Sequence, residues 1–139
     1  MANMLVAEGL ADLFAVDLVG QQGFTLLSAR RPAPATPCCC VSEGLDVTGM
    51  QDFAAWALGD ASARLFGATP VGVPTGAGYA AGGRIARAYP DATGRPPAAT
   101  VATPATEILA VALPQLGLGN ASSLTGGPWL VEWTVQGTR

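Results

Sequence analysis

Few side chains in this sequence are suited to catalysis. The 139 residues contain no histidine and no lysine, so a nucleophilic serine, threonine or cysteine would have no imidazole or side-chain amine to activate it. Glu43 and Asp46 are the two carboxylates that lie closest together in the sequence, and we interpret them as part of a solvated loop before a helix. The residue types therefore predict no catalytic site.

Three consecutive cysteines, Cys38, Cys39 and Cys40, are a second candidate for chemistry. Structural zinc sites space their ligands by two or more residues, so that several side chains can turn toward one ion. In a strand, Cys38 and Cys40 would face one side and Cys39 the other. We interpret all three as small buried hydrophobic residues and predict neither a metal nor a cofactor.

Glycine is concentrated at residues 76–83, which superficially resemble a phosphate-binding loop. The segment lacks the Lys-Ser/Thr pair of a P-loop, so we interpret it as a flexible loop or one ordered by assembly. Tyr79, Arg84, Arg87 and Tyr89 lie in or after it, and arginine and tyrosine are favoured at protein interfaces. These four residues are the predicted interface, although a solvated loop with two arginines is an alternative interpretation.

The composition is typical of a protein whose surface is partly buried by neighbouring subunits. Half of the residues are hydrophobic but only 12% are charged, against about 25% in an average protein. The 18 glycines and 11 prolines place many positions in turns, which leaves a thin core. Additional burial would come from other subunits, so we expect a homo-oligomer.

Charge and hydropathy argue against two classes of partner. The net charge is −3 and the seven arginines are scattered, whereas a phosphate backbone requires a clustered basic face. The longest aliphatic run, residues 108–113, is far shorter than the roughly 20 residues that cross a bilayer. The N-terminus carries no basic segment typical of a signal peptide. We expect no direct nucleic-acid binding, no membrane insertion and synthesis in the cytoplasm.

Periodicity predicts helices from residue 3 to about 19 and over residues 50–66, the second beginning with a Thr48/Gln51 capping box. Strands are predicted at residues 24–28, 38–42 and 129–136, while residues 107–113 fit a strand or a short helix. Residues 68–103 are interpreted as a Gly/Pro-rich excursion of loops, with extended structure at 78–89. The sum is one domain, 1–139, of the α+β class: a mainly antiparallel sheet covered on one face by two helices.

The order of these elements resembles the tail-terminator and minor-capsid (head–tail connector) proteins of long-tailed bacteriophages. The resemblance is carried by the helix at 4–18, the proline-rich stretch ending at 37–44, the alanine-rich helix at 50–66 and the closing strand at 127–135. It implies a non-enzymatic virion structural protein, made in the host cytoplasm, that forms a homo-oligomeric ring such as a hexamer. Its other partners would be the tail tube, the connector or the capsid.

Two alternatives to the ring subunit stay open at this point. One is a capsid decoration, or cement, protein that binds assembled shells. The other, from a different class, is a small ligand-binding or enzymatic domain that uses the glycine-rich loop at 76–83.

Overall fold

The structure is a computed structural model that describes residues 1–19 and 43–118. Throughout these two stretches the secondary structure is helical and contains no strand. The predicted α+β fold, with an antiparallel sheet covered by two helices, is therefore wrong. The strands predicted at 24–28, 38–42 and 129–136 lie outside the described residues. The described helices are α1 (Ala2–Val19), α2 (Met50–Phe53), the π-helix π1 (Ala54–Leu58), α3 (Asp60–Leu65), α4 (Ala77–Thr93), α5 (Pro97–Thr100) and α6 (Ala105–Gln115).

Helix α1 confirms the predicted N-terminal helix. Leu5, Leu10 and Leu13 lie on its buried face together with Val6. The helix is nevertheless apolar on more than one side, because Phe14, Leu18 and Val19 are exposed. Glu8 is half-buried at the boundary of the buried face. The buried face of α1 packs mainly on α4 and also contacts α5 and α6.

Helix α4 corrects the largest error of the sequence interpretation. Residues 77–93 form the central helix of the described fold, where loops and extended structure were predicted. The face that α4 buries consists mostly of glycine and alanine, which allows its backbone to lie directly against α1. A Cβ atom on Gly82 would overlap the carbonyl oxygen of Leu5, and one on Gly9 would overlap the carbonyl oxygen of Gly82. The buried residues of α4 are Ala77, Gly78, Ala81, Gly82, Ile85, Ala86 and Tyr89.

The predicted helix over 50–66 is present but divided. It begins after Gly49, and no side chain caps it, so the predicted Thr48/Gln51 capping box is wrong. Gly59 divides it at a φ of 96°, a conformation that favours glycine. Asp60 then starts α3 and holds the following loop, because its Oδ1 accepts hydrogen bonds from the backbone N–H groups of Val71 (2.8 Å) and Gly72 (3.1 Å).

Helix α6 settles the choice left open for residues 107–113, which are helical. Ile108, Leu109 and Ala112 have no exposed surface and complete the core formed by α1 and α4. Pro114 lies in the last turn of α6. Within residues 1–19 and 43–118, no helix combines the length and the apolar character that crossing a membrane requires.

Candidate functional site

A cleft lined largely by apolar side chains opens where the start of α1 meets the start of α2. Its volume is about 190 Å³. All three methionines of the sequence line it, which is the feature that distinguishes it from an ordinary surface groove. We call it the methionine cleft, and its lining residues are Met1, Ala2, Asn3, Met4, Leu45, Val47, Thr48, Gly49, Met50 and Phe53.

Backbone hydrogen bonds hold the two walls of the methionine cleft together. The N–H of Ala2 donates to the carbonyl oxygen of Leu45 at 3.2 Å, and the amine of Met1 donates to the carbonyl oxygen of Val47. A turn closed by the N–H of Val47 on the carbonyl of Gly44, at 3.1 Å, shapes the segment between them. The first turn of α1 and residues 45–49 are therefore two walls joined at their base by hydrogen bonds.

The floor and the mouth of the cleft differ in exposure. Leu45 is 2% exposed and belongs to the main core. Met50 is 78% exposed and Met4 is 37% exposed, so their thioether side chains are open to solvent. Leu65 and Phe66, outside the cleft, are exposed to a similar extent, so the grouping of methionines around a buried floor, rather than their exposure, is what marks this cleft.

Carboxylates outnumber cationic groups in the segments that form the methionine cleft, although the amine of Met1 itself lines it. Residues 1–19 and 43–53 carry six carboxylates and neither arginine nor lysine. Burial lowers the pKa of the Met1 amine, while the negative charge of Asp46 acts in the opposite direction. The six carboxylates are Glu8, Asp12, Asp17, Glu43, Asp46 and Asp52.

A second polar arrangement joins α4 to α6 far from the methionine cleft in sequence. The hydroxyl of Tyr89, a residue only 2% exposed, donates to Oε1 of Glu107 at 2.8 Å and accepts from Nη1 of Arg95 at 3.3 Å. Nη2 of Arg95 also donates to the carbonyl oxygen of Ala99 at 3.0 Å. We call these residues the Tyr89 cluster, and its hydrogen bonds clamp the end of α4 against α5 and α6.

The four residues predicted to form an interface all lie on α4. Arg84 and Arg87 are exposed, Tyr79 is half-buried and Tyr89 belongs to the core. The structure thus brings three of them to accessible positions and places Tyr89 inside, where its ring packs among core residues. An interface at Tyr79, Arg84 and Arg87 stays a prediction.

Residues 1–110 match the family described as "Predicted Zn-dependent protease (DUF2268)", and the chain belongs to this family. No curated protein and no solved structure shows significant similarity to it. The match covers α1 to the first half of α6, so it includes both the methionine cleft and the Tyr89 cluster.

The family corrects the functional predictions made from the sequence. The resemblance to phage tail terminators and connectors is wrong, and so is the non-enzymatic virion role derived from it. A predicted protease family points to an enzyme, which also overturns the expectation of no enzymatic activity. Of the functions considered from the sequence, the small ligand-binding or enzymatic domain agrees best with the family match. Self-association and the place where the protein resides stay predictions.

The family description raises the question of a zinc site. Zinc takes three or four ligands from histidine, cysteine, aspartate and glutamate, and many zinc proteases use an H-E-x-x-H helix. This sequence has no histidine, and residues 1–19 and 43–118 contain no group of three ligand-type side chains able to hold an ion. The carboxylates of Asp60 and Glu107 are already bonded to Gly72 and Tyr89. The described residues therefore do not fit zinc, and Cys38, Cys39 and Cys40 lie outside them.

Sequence reasoning missed both arrangements. The methionine cleft combines Met4 with Met50, which are 46 positions apart, and no local pattern connects them. The Tyr89 cluster combines residues of two helices that were predicted as loop and as strand or helix. The only available signal was the presence of all three methionines near apolar segments, at positions 1, 4 and 50.

Proposed function

We propose that this chain is an enzyme that acts on polypeptides. The observation that carries the proposal is the match to a predicted protease family over residues 1–110, about four fifths of the chain. The methionine cleft supports it, because substrate sites are concave, mainly apolar and equipped with a few polar backbone groups. We assign no step to zinc, since the described residues do not supply its ligands.

The methionine cleft is the part of this chain best suited to hold substrate. Its apolar lining removes a side chain from water, and the backbone at Thr48 and Gly49 lies on its wall, next to any main chain that enters. Holding a polypeptide in a fixed position is itself a large part of catalysis, because the translational and rotational entropy of bringing the reacting groups together is lost on binding and not in the reaction step. The cleft would contribute this positioning.

The proposal is tested by incubating the purified 139-residue chain with a disordered protein such as casein, with and without added Zn²⁺. Mass spectrometry then identifies new peptide termini. Cleavage at a rate proportional to the amount of chain, and co-eluting with it in gel filtration, would support the proposal. The absence of new termini under both conditions would overturn it.

A contaminating protease is excluded by a variant that disturbs the fold of this chain. Gly82→Val places a branched side chain against the backbone of α1, so the variant should lose the cleavage together with the α1–α4 packing. Cleavage that is unchanged in a preparation of unfolded Gly82→Val would belong to another protein and would count against the proposal.

A further inference from the structure

We infer that the methionine cleft binds an apolar side chain of a polypeptide segment that carries arginine or lysine next to that side chain. The inference rests on the proposed action on polypeptides and names the class of segment that this chain selects. It follows from the size, the lining and the charge of the methionine cleft.

The size of the cleft fits one side chain. A dry cavity of about 150 Å³ lined by leucine, isoleucine and phenylalanine holds a benzene molecule. At about 190 Å³ the methionine cleft has room for a group of this kind, such as the side chain of leucine, methionine or phenylalanine. The buried Leu45 beneath it provides an apolar floor.

The lining favours a range of apolar shapes. Methionine is unbranched, has three rotatable side-chain bonds and a polarisable sulfur, and it adapts to differently shaped partners. Met4 and Met50 are both partly exposed and can move against an incoming side chain. The opposing Phe53 gives the cleft one rigid apolar surface. We therefore expect the cleft to distinguish apolar from polar side chains more strongly than it distinguishes leucine from phenylalanine.

The charge favours a basic segment. Glu8 lies one helical turn after Met4 on α1, so the two side chains are neighbours on one face of that helix. Asp46 is close enough to act on the amine of Met1. Glu8 and Asp46 thus place one carboxylate near each wall, and the amine of Met1 is the one cationic group among the residues that line the cleft. Arginine or lysine beside the apolar side chain is attracted, and aspartate or glutamate there is repelled.

The experiment uses three fluorescein-labelled peptides in a Gly/Ser background, with the central sequences Arg-Leu-Arg, Arg-Ser-Arg and Glu-Leu-Glu. Their binding to the full chain is measured by fluorescence anisotropy. The Arg-Leu-Arg peptide should bind at least about tenfold more tightly than either of the others, since it alone combines burial of leucine with the favourable charge. Its advantage over Glu-Leu-Glu should shrink at 0.5 M salt. Equal binding of all three peptides would overturn the inference.

A matched pair of variants locates the binding. Met50 and Leu65 are exposed by 78% and 79%, but only Met50 lines the cleft. Met50→Ser should weaken binding of the Arg-Leu-Arg peptide about tenfold, whereas Leu65→Ser should leave it unchanged. Asp46→Asn should weaken binding of this peptide more than that of the Glu-Leu-Glu peptide, because Asp46 lies beside the amine of Met1 at the cleft. Equal losses in Met50→Ser and Leu65→Ser would contradict a role of the methionine cleft.

Two further outcomes separate this inference from the proposed function. Selective peptide binding without any cleavage would leave the inference standing and overturn the proposed enzyme. Cleavage that is unaffected by Met50→Ser and shows no preference for basic segments would support the proposed enzyme and overturn the inference about the methionine cleft. A concentration-dependent dimer that Met50→Ser abolishes, with no peptide bound, would mean that a second copy occupies the cleft and would also overturn the inference.

Discussion

Tyr89 illustrates how much one buried hydroxyl group contributes in this chain. Its oxygen donates one hydrogen bond, to Glu107, and accepts another, from Arg95. Both partners are charged groups, and hydrogen bonds to charged groups are stronger than those between neutral ones. Because the ring of Tyr89 is buried, the hydroxyl joins the end of α4 to α6 from within the fold.

We expect Tyr89→Phe to keep the ring packing and to lower the free energy of unfolding by about 1–2 kcal/mol, the amount typical of lost hydrogen bonds at a partly buried site. Urea unfolding followed by circular dichroism measures it. Tyr79→Phe is the control, because Tyr79 is half-buried on the same helix and no hydrogen bond to its hydroxyl occurs among the described residues. A loss of the same size in both variants would refute a specific role of the Tyr89 hydroxyl.

At the scale of elements, the contact between α1 and α4 depends on the absence of side chains. Gly9 on α1 and Gly82 on α4 let the two helix backbones approach until carbonyl groups lie where Cβ atoms would be. Around this crossing, Leu5 and Ile85 are 2% and 3% exposed. The closeness of the helices therefore determines how the larger residues on either side of the crossing pack.

Glycine to alanine usually stabilises a helix interior by up to about 1 kcal/mol. We expect Gly82→Ala to destabilise the protein instead and to lower its thermal unfolding midpoint, because the added methyl group meets the rigid backbone of Leu5. Gly83→Ala, at a half-buried position on the same helix, is the comparison and should be neutral or stabilising. Differential scanning calorimetry of both variants gives the answer, and a rise of the midpoint in Gly82→Ala would refute the close crossing.

This crossing also explains which helices the sequence could reveal. Helix α1 was predictable because Val6, Leu10 and Leu13 follow one another at four- and three-residue spacing and are buried. Helix α4 separates apolar from polar residues more clearly than α1 does, but its buried face is mostly glycine and alanine, and the glycines were interpreted as a loop signal. Its face was therefore interpreted as a flexible segment, although small residues are what a close helix contact requires.

The divided helix at 50–66 was predictable only in part, for a related reason. The alanines and Trp56 indicate a helix, but the break at Gly59 depends on the loop that returns along it: the N–H of Gly76 donates to the carbonyl of Leu58 at 3.0 Å. Such a contact joins residues 18 positions apart, so a local pattern cannot show it. The methionine cleft escaped prediction in the same way, since it needs contacts between α1 and residues 45–53.

At the scale of the whole molecule, a small number of residues carries the stability of the described fold. Ile108 and Leu109 of α6 have no exposed surface and pack in the core with side chains from α1 and α4. Much of the remaining core is alanine, which buries little apolar area for each residue. Each large buried side chain therefore contributes a greater share of the total buried apolar area, and so of the stability, than it would in a core rich in leucine.

We expect Leu109→Ala to lower the free energy of unfolding by about 2–5 kcal/mol, the range for removing a buried leucine side chain. A typical domain has only about 5–15 kcal/mol in total, so this variant should be close to unfolding at 37 °C. Chemical denaturation at 15 °C and at 37 °C measures both effects. Val101→Ala, at a residue that is 61% exposed, is the control and should change stability little; similar losses in the two variants would contradict the core described here.

The packing of α1 on α4 has a consequence for synthesis on the ribosome. The partner that covers α1 ends at Thr93, more than 70 positions after Val19. At about 5–20 residues per second, several seconds pass before α4 emerges. During this interval Leu5, Leu10 and Leu13 lack the helix that covers them in the finished fold, so nascent chains of this protein are expected to be clients of ribosome-associated chaperones until α4 is made.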